Sequence, residues 1–141
     1  MRTIFFIATF LAGNIVSVFA QEKETFTLTI DVTITKHHKG TIFLALFKGK
    51  DSYLKKPYKH GIKEVKGGKT TLVFDQIEKG DYAFSLFHDL NGNKKMDKNF
   101  FGIPKEPYGF SNNKKGSMGP PDFKDAKFNI DKNKTVQVSI K

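Results

Sequence analysis

From Phe26 to Thr35 apolar and polar side chains alternate without a break. Phe26, Leu28, Ile30, Val32 and Ile34 share one parity; Thr27, Thr29, Asp31, Thr33 and Thr35 share the other. Successive side chains of a strand point to opposite faces, so this is the pattern of a half-buried β-strand. Lys36-His37-His38-Lys39-Gly40 reads as a polar turn. Thr41 to Phe47 follows as a nearly continuous apolar run, as in a central strand. These two strands are expected to pair as a hairpin. Further on, Tyr82, Phe84, Leu86 and His88 alternate with Ala83, Ser85 and Phe87, a strand covered on both faces. Lys69 to Ile77 is another strand, and Ile62 to Lys66 a short one. Phe123 to Ile130 and Thr135 to Ile140 are expected to form a last pair around Asp131-Lys132-Asn133-Lys134. Lys48 to Gly61 is irregular, with Asp51 or Ser52 opening a helical turn that Pro57 stops.

About seven short strands with no amphipathic helix predict an all-β fold, an antiparallel sandwich or barrel. The regularity breaks between Asp89 and Asp122. A connection of that length in a compact domain is either functional or disordered. Phe100, Phe101, Ile103, Tyr108 and Phe110 make it too aromatic for a solvated linker, so one long ordered loop is expected.

The N-terminus changes the picture of where the chain works. Arg2 precedes the apolar run Ile4 to Val18, and Val18-Phe19-Ala20 offers a small-x-small cleavage site before polar Gln21. That order predicts a signal peptide over residues 1–20 and a single exported domain over 21–141, periplasmic or secreted. No second long apolar run follows, so no transmembrane segment is expected after cleavage. Cysteine is absent, so stability must come from burial rather than disulfides. Cleavage removes only Arg2 from the 24 Lys and Arg, leaving 23 lysines against 14 acids. Without guanidinium forks the basic surface is poorly suited to reading nucleic acid, and no nucleic-acid partner is expected. Scattered lysines suit a solvated surface, or weak attraction to an anionic glycan or envelope surface.

The loop carries the candidate chemistry. Asp89, Asn91 and Asn93 alternate with non-ligand residues, and Asp97 follows four residues on. Such spacing can fold side-chain oxygens around a hard cation such as calcium. Lys94 occupies the place of the EF-hand glycine and Phe100 that of its bidentate Glu, so an EF-hand is excluded. The same residues equally suit an Asn-Gly turn held by local backbone hydrogen bonds, and both readings stand at this point. Phe101, Tyr108 and Phe110 either form the loop's own core or present an aromatic platform for a sugar or peptide, with Asn112 and Asn113 beside it. His88 and Glu106 are the acid–base candidates near the loop.

His88-Asp89-x-Asn91-x-Asn93-x-x-x-Asp97, Phe101-Gly102-Ile103-Pro104-x-Glu106-x-Tyr108-Gly109-Phe110-Ser111-Asn112 and Gly119-Pro120-Pro121-x-Phe123-x-x-Ala126 together resemble the bacterial family catalogued as domain of unknown function 2141. The resemblance covers nearly the whole chain after residue 20, with Pro107 a departure where glycine is expected. It implies small exported proteins with a transthyretin-like or immunoglobulin-like β-sandwich, and no particular activity. The expected function is a non-enzymatic binding or interaction module for a glycan, peptide or envelope partner. Its working surface would be the loop, with calcium at Asp89, Asn91, Asn93 and Asp97 and ligand contacts at His88, Glu106, Tyr108, Phe110 and Asn112. A small hydrolase or isomerase using His88 and Glu106, and a structural accessory protein of the envelope, are the alternatives.

Overall fold

Residues 22–141 are described by a computed structural model; the signal peptide expected over residues 1–20 lies outside them. The strands are β1 (Thr25–Ile34), β2 (Thr41–Lys48), β3 (Lys59–Glu64), β4 (Lys69–Glu78), β5 (Gly80–Asp89), β6 (Tyr108–Phe110), β7 (Phe128–Ile130) and β8 (Lys134–Ile140). One short helix, α1 (Phe123–Ala126), precedes β7. A three-stranded sheet in the order β4-β1-β8 faces a five-stranded one in the order β3-β2-β5-β6, with β7 also on β5. The architecture is a mostly β, two-layer sandwich, not a closed barrel.

The pairings differ from those expected. β1 does not form a hairpin with β2; it pairs antiparallel with β4 and parallel with β8. β2 lies between β3 and β5 in the other sheet. A period of two dictates which face a residue takes, and says nothing about which strand lies beside it. The Lys36–Gly40 turn therefore carries the chain from one layer to the other. β7 and β8 do not pair either, because Gly80–Tyr82 takes β7 and Leu28–Ile34 takes β8. Phe123–Ala126 begins that segment as a helical turn, with the amides of Asp125 and Ala126 donating to the Asp122 carbonyl. The spacing of three between Phe123 and Ala126 is helical, not extended.

Inward-facing side chains from both layers make the core. Leu28, Ile30, Val32 and Ile34 of β1 meet Ile42, Leu44 and Leu46 of β2 and Tyr82, Phe84 and Leu86 of β5, all buried. Each such side chain contributes roughly 1.5–3 kcal/mol on leaving water, which supplies stability without disulfides. Both lateral edges of the sandwich close at a glycine. A Cβ on Gly61 of β3 would lie 2.6 Å from Leu72 Cδ2 of β4, and one on Gly109 of β6 would lie 2.9 Å from Ile140 Cγ2 of β8. Missing side chains there let the edges of the two sheets approach.

The outer face of the five-stranded sheet is only partly covered. Phe47 and Ala83 are buried under Tyr53, Phe123 and Ala126. Towards the other end of the strands that cover stops.

Candidate functional site

Where the cover stops, the register lines up an apolar row across four strands. Ile62 of β3 is opposite Phe43 of β2, Phe43 opposite Phe87 of β5, and Phe87 opposite Tyr108 of β6. A second row beside it runs His60, Ala45, Ser85 and Phe110. These rows floor a groove of about 580 Å³, walled by Met96, Lys98, Gly102 and Pro104 on the loop and by Leu54, Gly119 and Pro120. Phe43 and Phe87 stack with centroids 5.2 Å apart and an interplanar angle of 11°. Each covers one face of the other. Tyr108 is about half exposed and meets Phe110 edge to face at 6.1 Å.

The loop is built from its own polar groups. Both Asp89 carboxylate oxygens accept backbone amides, from Gly92 and Lys94, each at 2.8 Å. Asn91 Oδ1 accepts from the Asn93 amide and Asn93 Oδ1 from the Lys95 amide. Asp97 accepts from Asn91 Nδ2 at 2.6 Å and from Asn93 Nδ2 at 2.9 Å. This is the turn chemistry of Asx residues, and it engages every side-chain oxygen of the proposed calcium set. A hard cation on Asp97 would have to displace the two amide nitrogens that now face it. Among the described residues no three His, Cys, Asp or Glu side chains gather as a metal-holding group.

Glu106 is buried and clasps the loop's two ends. Its Oε1 accepts from the Leu90 amide at 2.9 Å and its Oε2 from the Asp97 amide at 3.2 Å. His88 is fully buried, on the inward parity of β5. Its Nε2 lies 2.8 Å from the Lys39 carbonyl oxygen. A carbonyl only accepts, so Nε2 carries the proton, and Nδ1 is left buried without a partner. Burial pushes its pKa below the ordinary 6.5, an effect the Lys39 carbonyl partly offsets. Glu106 lines a second groove and His88 lines neither, so the two acid–base candidates do not share a concave surface.

The second groove, about 630 Å³, lies where β6 meets β8 and is lined by Lys36, His37, Lys105, Lys114, Lys115 and Lys141, among others. Tyr108 and Phe110 border both grooves. Asn112 Nδ2 donates to the carbonyls of Asp125 and Lys127, tying the turn after β6 to α1. Asn113 Oδ1 accepts from the Ser139 amide on the edge of β8. Ser111, fully buried, presents Oγ to the Phe84 amide at 3.0 Å and extends the β5–β6 ladder.

Of the residues expected to meet a ligand, Tyr108 and Phe110 thus come together on the sheet, whereas His88, Glu106 and Asn112 are engaged in holding the fold. Phe101 does not join Tyr108 and Phe110 in a mini-core; it is exposed at the end of a hairpin. Sequence reasoning missed Phe43, Phe87, Ile62, His60 and Ser85. Their signal was there: β2 and β5 are apolar on both parities, which demands a second buried face.

The chain belongs to the family described as uncharacterized protein conserved in bacteria (DUF2141), which matches residues 30–138. No curated protein and no solved structure matches it.

Proposed function

We propose that this member of the DUF2141 family is a non-catalytic binding module that takes an apolar peptide segment along the outer face of its five-stranded sheet. The observation behind the reading is the cross-strand row Ile62, Phe43, Phe87 and Tyr108, walled by the loop. Ligand sites commonly occupy about 300–1,000 Å³, with mostly apolar linings and a few orienting polar groups. Here Ser85, His60 and the Tyr108 hydroxyl are those groups. A glycan stacks on ring faces, and Phe43 and Phe87 turn their faces to each other. Apolar peptide side chains need only contact area, which Phe43, Phe87, Met96 and Pro104 supply. Export by the leader read at residues 1–20 belongs to the same proposal, as does a partner in the cell envelope. The proposal does not require calcium, because the loop oxygens already have amide partners that order the loop.

Amide chemical-shift mapping with a pool of apolar hexapeptides, set against a glycan panel, tests the reading. Peptides should shift Phe43, Ala45, Ser85, Phe87 and Tyr108, and Ser85→Lys should abolish the effect while the thermal melt is retained. Binding to glycans alone, or peptide shifts unchanged by Ser85→Lys, would sink it.

A further inference from the structure

The hairpin that walls the apolar groove ends in a tip of exposed apolar side chains. Phe100 is 97% exposed, Phe101 82% and Ile103 58%. The two rings lean edge to face at 5.5 Å, on each other and away from the sandwich. A lone exposed apolar residue is ordinary, but three within four consecutive positions form a patch. The tip is also ordered. Lys98 and Pro104 are bridged across its base. The Asn99 amide donates to the Ile103 carbonyl and the Gly102 amide to the Asn99 carbonyl, both at 2.9 Å. Asn99 Oδ1 accepts from the amides of Phe101 and Ile103 at 2.9 and 3.0 Å. Folding the tip's backbone back onto the sheet would break these bonds, so the hairpin itself is held in place.

Lysines flank it along the chain. Lys94, Lys95, Lys98 and Lys105 are exposed and, among the described residues, none of them is in a salt bridge. The neighbouring acids are occupied: Asp97 by the Asn91 and Asn93 amides, Glu106 by two backbone amides. Lys105 continues the basic surface into the groove of Lys36, Lys114, Lys115 and Lys141. Lysine is a point charge on a flexible stem, without the fixed fork of arginine. It fits a fluid layer of phosphates better than one shaped carboxylate.

We infer that this hairpin tip docks on an anionic bilayer surface. Phe100, Phe101 and Ile103 enter the headgroup–acyl boundary, and Lys94, Lys95, Lys98 and Lys105 remain among the lipid phosphates. Apolar protrusion and surrounding cations are the two signals that together hold a protein at a membrane without spanning it. An apolar pocket on a protein partner would need the rings and not the cations. The inference is independent of what occupies the groove, although docking would bring the loop wall of that groove to the lipid surface.

Vesicle flotation tests it, using residues 22–141, which contain both sheets and the core described above. Vesicles of phosphatidylcholine alone are compared with vesicles containing phosphatidylglycerol, at low and high salt. The wild type should float with the anionic vesicles at low salt and be largely released at high salt. Phe100→Ser with Phe101→Ser should weaken binding to anionic vesicles roughly tenfold or more, with an unchanged thermal melt. Lys98→Glu with Lys105→Glu should weaken it on anionic vesicles only. Wild-type protein that ignores anionic vesicles overturns the inference, as a tip made for a protein pocket would behave. Full binding by the Phe double variant also overturns it, since attraction would then be charge alone.

Discussion

The two sheets bury their inner faces alike and differ on their outer ones. Outside the three-stranded sheet lie Thr27, Thr29, Asp31 and Thr33 of β1, Thr71, Val73 and Asp75 of β4, and Gln137 and Ser139 of β8, all polar but Val73. The polar ones bond to one another, Thr71 Oγ1 donating to Asp31 at 2.7 Å and Thr27 Oγ1 to Asp75 at 2.9 Å. Outside the five-stranded sheet lie Phe47 and Ala83, then Ala45 and Ser85, then Phe43 and Phe87. The first pair is roofed by Tyr53 and α1, and the last is left open as a groove. A sheet can face water directly on one side only where its alternation is clean. The lesson is that apolar side chains on both parities demand a second cover, and a binding surface forms where that cover ends.

The sharpest way to break this contrast is to remove the roof. Tyr53→Ala should destabilise the protein by about 3 kcal/mol in urea melts, as for other buried aromatic deletions. Val73→Ala, on the exposed face of β4, should change stability by less than about 0.5 kcal/mol. Equal costs at the two positions would mean that the outer faces are equivalent. The Tyr53 hydroxyl is buried without a partner, and burial pushes its pKa up to about 12. Tyr53→Phe should therefore leave stability unchanged or slightly raised.

A smaller effect is expected in the open part. Phe87→Ala removes a half-buried, stacked ring and should cost about 1–2 kcal/mol, together with peptide binding. A chemical melt and the shift mapping described above read the two losses separately. If stability falls and binding persists, the stacked pair is structural cover and not a ligand floor.

The gentlest probe is pH. His88 sits on the inner side of the five-stranded sheet; the buried positions of β1 and β8 are aliphatic. Burial lowers its folded-state pKa beneath 6.5, so the unfolded chain binds its proton more readily. Stability from this group is complete above about 6.5 and declines as pH falls from there through the lowered folded value. His88→Gln should flatten that part of the stability profile. Amide exchange in mild acid should rise first along β2 and β5; an equal rise along β1 would argue against His88 as the source.

Much of the strand content was legible because alternation is a local property. β1 and β8 follow the polar-apolar period, and their buried positions are the alternate ones expected; β4 breaks it, stepping three residues from buried Phe74 to buried Ile77 across a register irregularity opposite Phe26–Leu28. Pairing was not legible, because the partner of β1 is decided by which edges close the sandwich. The marks of that closure are two glycines, Gly61 and Gly109, whose meaning appears only when Leu72 and Ile140 lie against them. The loop was recognisable as ordered from its aromatics, yet its inner workings were not. Phe101 and Phe110 look alike in sequence; only the ladder to Ser85 draws Phe110 onto the sheet, while the Asn99 turn sends Phe101 outward. Glu106 reads in sequence as a ligand contact or an acid–base candidate, although its two oxygens serve two backbone amides.

The parallel pairing of β1 with β8 also governs how the protein can be handled. Ile34 lies beside Ile140, at the same end as Gly40, Asp89 and the loop, whereas Thr25 begins at the opposite end, beside Glu78. An affinity tag or surface linker joined ahead of β1 would leave the loop free and pointing away from a chip. One joined after Lys141 would hang in the lysine-lined groove.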